Sequence, residues 1–161
     1  MVISSQVPGA GRKNVPEDIS QELTTFDALT TDEKLGLLWV LYDNMGGSVT
    51  PAAPGAAEAQ FTQSLFEQVK EMEQTAQMAF MRDLVEHKGT EQTEVYSSFS
   101  NDNKLLFWYQ LAEGMAAGSV IPVPDDYKLS SAASKVFSDI TALAFNEQIT
   151  LLRYAVVDMG V

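Results

Sequence analysis

"KLGLLWVLYDNMGGSVTP" (residues 34–51) and "KLLFWYQLAEGMAAGSVIP" (residues 104–122) are one phrase written twice in a chain of 161 residues. Each is entered through Asp-x-Lys-Leu, passes Trp and Tyr, reaches a Met among small residues, and leaves through Ser-Val-x-Pro. The two copies hold both tryptophans of the chain. Asp32, Lys34, Leu35 and Met45 recur seventy positions later as Asp102, Lys104, Leu105 and Met115. From Ser48 the offset becomes 71, so Leu65-Phe66 matches Val136-Phe137, and Gln77, Met81 and Arg82 match Gln148, Leu152 and Arg153. A unit this long is not a solenoid repeat. It predicts a duplicated helical sub-bundle whose copies pack about a pseudo-two-fold, with a seam suited to a ligand. The Trp-bearing helices are then equivalent elements, expected to face one slot.

Around these phrases the pattern is helical throughout. Pro16 and the acids after it suit a helix N-terminus. Thr30 and Glu33 form a capping box before a helix that runs to about Met45, where Gly46-Gly47 end it. Residues 50–55, with two prolines, read as an extended loop. Further helices carry Phe61 to Met72 and Met78 to Val85, the latter stopping near His87. A short helix is expected over 90–99, the second Trp helix over 100–118, and two more over 131–145 and 147–159. Strand-like alternation is scarce, so the class is all-α. Residues 1–14, rich in Ser, Gly and Pro, are expected to form a flexible arm ahead of one helical domain over 15–161.

Composition excludes several function classes. Cysteine is absent, which removes disulfides, thiolate metal sites and thiol nucleophiles together. A net charge of −12 argues against nucleic acid and anionic bilayers as partners. No apolar run approaches the roughly eighteen residues of a membrane span. No export or transit signal is visible, so the location is expected to be cytoplasmic.

Catalytic inventory is thin. His87 is the single histidine and suits a solvated helix end. There is no nucleophile elbow, no dinucleotide fingerprint and no Walker loop. The acids Glu67, Glu71, Glu73, Glu86 and Glu91 lack the Glu-x-x-His pairing of a di-metal bundle and read as a solvated face. Neither catalysis nor a metal site is expected. The apolar constellation says more: Trp39, Tyr42, Trp108, Tyr109, Met78, Met81 and Met115 combine flat faces with adaptable sulfur. Such a stripe is either packed core or the wall of an apolar slot. Duplication, the small residues Ala112 and Gly114, and the Pro-rich loops at 50–55 and 121–124 favour the slot. Arg153 shares an apolar helical surface with Ile149 and Val157, as a snorkelling side chain or as an interface contact.

At these motifs the chain resembles the carotenoid-binding N-terminal domain of the orange carotenoid protein and its stand-alone paralogues, the helical carotenoid proteins of cyanobacteria. The stretches that carry the resemblance are "LWVLYDNMG", "PAAPGAA", "KLLFWYQLAEGM", "VPDDYKL" and "QITLLRYAVVDMG", covering nearly everything from Thr30 onward. The resemblance implies two interleaved four-helix sub-bundles holding a keto-carotenoid, canthaxanthin or echinenone, without a covalent bond. It implies a pigment site of Leu35, Leu38, Trp39, Tyr42 and Met45 on the first aromatic helix, with Met81 against the polyene. Leu105, Trp108, Tyr109, Ala112 and Met115 match the second aromatic helix, and Val123 and Tyr127 the covering loop. Thr150, Arg153 and Val157 match the last helix. Departures are Arg82, where the family has a small residue, and the N-terminal arm.

The expected function is photoprotection, in which a bound pigment quenches singlet oxygen and dissipates excitation. The alternative is direct quenching of phycobilisome fluorescence through an Arg153-centred surface. Implied partners are the carotenoid, the phycobilisome at the thylakoid, or a carotenoid-delivering homologue of the missing C-terminal domain, with the chain itself a monomer or weak homodimer. Since the sequence stops at Val161, light-driven domain separation is not expected.

Overall fold

The computed structural model describes residues 15–45, 59–124 and 126–161, with side chains of the middle stretch described from Thr62. The arm over 1–14, the helix end at Gly46-Gly47 and the loop over 50–55 lie outside the described residues. Among the described residues eight helices are seen: α1 (Glu17–Asp27), α2 (Thr31–Met45), α3 (Ala59–Glu71), α4 (Gln74–Glu86), α5 (Glu91–Ser97), α6 (Asn101–Ala117), α7 (Ser131–Thr141) and α8 (Phe145–Val157). No strand occurs among the described residues, as the periodicity requires.

Local chemistry accounts for most helix ends. The Thr30 N–H donates to the Glu33 carboxylate (2.9 Å) and the Glu33 N–H to Thr30 Oγ1 (3.2 Å), closing the expected capping box. At the matching position the Asn103 N–H donates to Ser100 Oγ at 3.1 Å. Helix α6 ends at Gly118, whose φ of 87° is the left-handed conformation that costs glycine nothing. The boundary between the last two helices differs from the sequence expectation, since α7 stops at Thr141 rather than Phe145. No Gly or Pro marks this break. It is made by α8 instead: the Glu147 carboxylate accepts from the Ala144 N–H (3.0 Å), and the Gln148 amide donates to the Thr141 and Leu143 carbonyls (3.3 and 3.0 Å). Orphan carbonyls of one helix are thus satisfied by a side chain of the next.

The duplication is visible in the contacts. Helix α2 packs on α4 as its copy α6 packs on α8. Helix α3 of the first half packs on α6 of the second, and α7 of the second on α2 of the first. Each half therefore lends its middle helix to the aromatic helix of the other, which is what interleaving means physically. The short α5 lies on α3 and α4 just as α1 lies on α7 and α8. Leu37, Leu41, Leu65, Val69, Phe107, Leu111, Ile140, Leu151 and Leu152 are sealed in the core. Among the described residues no helix is long and apolar enough to cross a membrane.

Candidate functional site

Helices α2 and α6 meet at the seam, and among the described residues two cavities, the larger mostly apolar, lie along it. One, of about 310 Å³, sits between α2, α4 and the loop after α6; the other, of about 260 Å³, lies between α2 and α6. Leu35, Gly36 and Trp39 present one face of α2 to the larger cavity, opposite Met78 and Met81 of α4 and Met115 of α6. The loop residues Ile121, Pro122, Val123, Pro124 and Tyr127 cover it. The smaller cavity is walled by Trp39, Tyr42 and Asp43 from α2 and by Tyr109, Ala112, Glu113 and Ala116 from α6. These positions follow helical spacing, because residues three and four apart share a face. Trp39 is common to both cavities.

The covering loop is held at three points. Gln77, buried on α4, donates to the carbonyls of Val69 (2.9 Å) and Ser119 (3.1 Å), and its own carbonyl accepts from the Ile121 N–H at 2.6 Å. Ser130 donates to the Glu33 carboxylate at 2.6 Å. Between these, the Tyr127 ring lies on Gly36, where a Cβ atom would fall 1.7 Å from the phenol oxygen. Glycine at 36 is what lets the loop approach α2 this closely. Two prolines stiffen the segment by fixing φ.

Electrostatics keep the tyrosines of the walls neutral, while Asp43 and Glu113 set two exposed carboxylates at the edge of the smaller cavity. Burial pushes the Tyr42 hydroxyl far above the ordinary phenol value, and Tyr42 donates to the Leu105 carbonyl at 2.9 Å. Burial, with the Glu113 carboxylate beside it, raises Tyr109; burial and then Asp32 and Glu33 raise Tyr127. The Tyr42 and Tyr109 rings stand 6.5 Å apart at 47°, facing each other across the seam. Asp32, at the rim of the larger cavity, is engaged by Arg82 through two hydrogen bonds of 2.9 and 3.2 Å. What remains inside the larger cavity is an apolar, aromatic and sulfur-bearing surface, suited to excluding water from an apolar rod.

The sequence-derived residues divide accordingly. Leu35, Trp39, Met81, Met115, Val123 and Tyr127 meet at the larger cavity, and Trp39, Tyr42, Tyr109 and Ala112 at the smaller. Leu38, Met45 and Leu105 are buried and line neither cavity. Trp108 is also placed in the core, 2% exposed, with its indole N–H donating to the Tyr96 hydroxyl at 3.1 Å. Tyr96 in turn donates to the Val156 carbonyl. The two tryptophans do not face one slot here. Under the offset of seventy, Trp39 corresponds to Tyr109 and Trp108 to Leu38, so one indole looks to the seam and the other to the core. Thr150, Arg153 and Val157 sit on α8 and line neither cavity; Thr150 donates to the Asn146 carbonyl, and Arg153 pairs with Asp102.

Sequence reasoning missed Gly36, Asp43, Glu113 and Ala116 as wall positions. Helical spacing from Trp39, Tyr109 and Ala112 would have found them: each lies three or four residues from one of these.

Comparison with known proteins identifies the family. The family profile described as orange carotenoid protein, N-terminal, matches residues 12–161. An orange carotenoid-binding domain-containing protein of Nostoc sp. PCC 7120 is 45% identical over 143 residues, covering 89% of this chain and 84% of that protein. The structure of the Anabaena (Nostoc) sp. PCC 7120 red carotenoid protein binding canthaxanthin superposes with a TM-score of 0.79 at 36% identity, covering 89% of this chain and 98% of that one. The orange carotenoid protein of the same organism, also binding canthaxanthin, gives 0.81 at 38% identity, where this chain spans 47% of that structure. The chain belongs to the family of the orange carotenoid protein N-terminal domain.

Proposed function

We propose that this chain binds a keto-carotenoid, canthaxanthin or echinenone, without a covalent bond, and serves photoprotection. The observation that carries the reading is the pair of cavities meeting at Trp39 along the seam, the larger mostly apolar, in a chain of this family. Relatives that hold canthaxanthin on the same fold support it. The residues fit such a ligand: Leu35, Met81, Met115 and Val123 offer apolar contact, and Trp39, Tyr42 and Tyr109 offer flat faces to an extended π-system.

Burial is the driving force, at roughly 25 cal/mol per Å² of apolar surface withdrawn from water. Net affinity is much smaller than that gross sum, because ordering and wall rearrangement oppose it. When bound, the pigment supplies low-lying excited states that take up energy from singlet oxygen and release it as heat. The chain contributes what the pigment lacks. Its raised tyrosines stay neutral at the wall, its methionines adjust to shape, and the loop held by Gln77 and Ser130 keeps water off one side. No acid, base or nucleophile is asked for.

Expression in a canthaxanthin-producing host tests this. The purified chain is expected to be coloured, with a visible spectrum shifted from free pigment and canthaxanthin recovered on extraction. A colourless product, alongside a coloured red carotenoid protein from the same host, would refute the reading.

A further inference from the structure

Trp39 and Trp108 have opposite surroundings. Trp108 is sealed, its N–H bonded to Tyr96, which clusters with Phe99 and Phe107 at ring-centroid distances of 5.8–5.9 Å. Trp39 is half-buried, makes no hydrogen bond among the described residues, and has a cavity on either side. A helical Trp side chain leans over the turn before it, and here that turn holds Gly36, where the Tyr127 ring of the covering loop stands in place of a side chain of α2. A half-buried ring with open space on each side forfeits much of the dispersion contact that fixes core side chains.

Size adds the second part. Pockets for drug-sized ligands run to about 300–1,000 Å³, and of these two cavities one, about 310 Å³, stands at the bottom of that range and the other, about 260 Å³, below it. A forty-carbon rod with a ring at each end exceeds either one. Joined, they form a single channel that runs past both aromatic helices. The wall they share is the Trp39 indole.

We propose that Trp39 is a movable partition: its side chain divides the seam into two compartments, and its rotation joins them into the channel that admits a rod-like apolar ligand. The inference rests on the carotenoid reading for the identity of the rod, while the movement belongs to the chain itself. It makes Trp39 the residue that sets the rate of entry, distinct from those that only line the wall. Tyr109, its counterpart in the other half, has Leu106 three residues before it instead of glycine, and it remains a fixed wall.

Two measurements on the full chain test the partition. In pigment-free protein labelled with 5-fluorotryptophan, the two ¹⁹F resonances are assigned by Trp39→Phe. The Trp39 signal is expected to be split or broadened by microsecond-to-millisecond exchange, and the Trp108 signal to be narrow. In the second, canthaxanthin is presented in liposomes and uptake is followed by the growth of the bound spectrum. Trp39→Ala is expected to load several-fold faster than wild type. Ile140→Val, which loosens the core on α7 at a residue lining neither cavity, is expected to load at the wild-type rate. A Trp39 resonance as narrow as that of Trp108 overturns the partition, as does loading by Trp39→Ala no faster than by wild type. If wild-type protein stays colourless, the carotenoid reading fails, and the fluorine spectrum alone then decides whether the indole moves.

Discussion

In the first half of the chain the order is Leu38-Trp39; in the second it is Trp108-Tyr109. A one-residue step turns a side chain about 100° around a helix, so at equivalent places the first half sends leucine to the core and tryptophan to the seam. The second half sends tryptophan to the core and tyrosine to the seam. The frame around them is conserved between the halves. Asp32 pairs with Arg82 as Asp102 pairs with Arg153, and Gln77 and Gln148 each donate to carbonyls at or near the end of the preceding helix. Asp43 and Glu113 correspond and flank the same cavity. The comparison teaches that duplication kept the scaffold polar contacts while the apolar filling diverged. That divergence leaves a large sealed indole on one side of the seam and a loosely held one on the other.

The sharpest way to break this contrast is to truncate both indoles. Trp108→Ala should cost about 3–5 kcal/mol, the usual loss for a large buried aromatic, with the Tyr96 hydroxyl losing its donor as well. Trp39→Ala should cost about 1–2 kcal/mol, since its ring borders voids rather than packed neighbours. Urea unfolding of the pigment-free chain measures both. Equal losses would mean that the two halves treat their tryptophans alike.

How far this was readable beforehand follows the same physics. The capping box at Thr30 and Glu33 and the long aromatic helices were legible, because each is written in local chemistry. The duplication was legible from its spacing. The facing of the tryptophans was not, because α2 and α6 are apolar nearly all round. Their apolar pattern therefore selects no single face, and a shared phrase with one Trp per copy invites the wrong pairing. The α7–α8 break was hidden for another reason: it is set by Gln148 and Glu147 reaching back, not by a breaker residue. Thr150, Arg153 and Val157 entered as pigment contacts only through family resemblance, and they lie on α8 and line neither cavity. A pigment role for them is a proposal about the loaded protein.

The glutamine pair sharpens the comparison at the next level. Gln77→Leu leaves the Val69 and Ser119 carbonyls and the Ile121 N–H without their partner, at a cost of about 1–3 kcal/mol. Gln148→Leu removes donors from Thr141 and Leu143 and should cost a similar amount. What separates them is location. Only Gln77 holds the loop over the larger cavity, so only its variant should lose hydrogen-exchange protection at Ile121 and release bound pigment faster. Equal exchange at Ile121 in the two variants would remove the assigned role of Gln77.

Arg82 and Arg153 should show near equality. The Arg82–Asp32 pair is exposed and the Arg153–Asp102 pair only partly buried, so screening leaves each weak. Arg82→Gln and Arg153→Gln are each expected to lower the urea midpoint slightly, and the difference from wild type should vanish in high salt. A large, salt-insensitive loss at Arg153 alone would show that the second half leans on its pair as the first does not. It would also weigh against Arg153 being available to an antenna surface.

The smallest expected effect separates the two helix caps by pH. Glu33 caps α2, and its counterpart on α6 is Asn103, which does not titrate. The Ser130 hydroxyl, and then the Thr30 N–H, hold the Glu33 carboxyl below the ordinary carboxylate range. A lowered folded value means that the ionised form is favoured by folding. Its contribution is therefore complete above the ordinary range and is lost as pH falls through the folded value. Lowering pH from about 6 to about 3 should shift the Thr30 amide resonance and loosen Ser130, while the Asn103 amide, bonded to a serine hydroxyl, stays where it was. In Glu33→Gln the Thr30 response should disappear. If the two caps moved together, acid would be acting on the whole bundle, and the local asymmetry between the halves would have to be sought elsewhere.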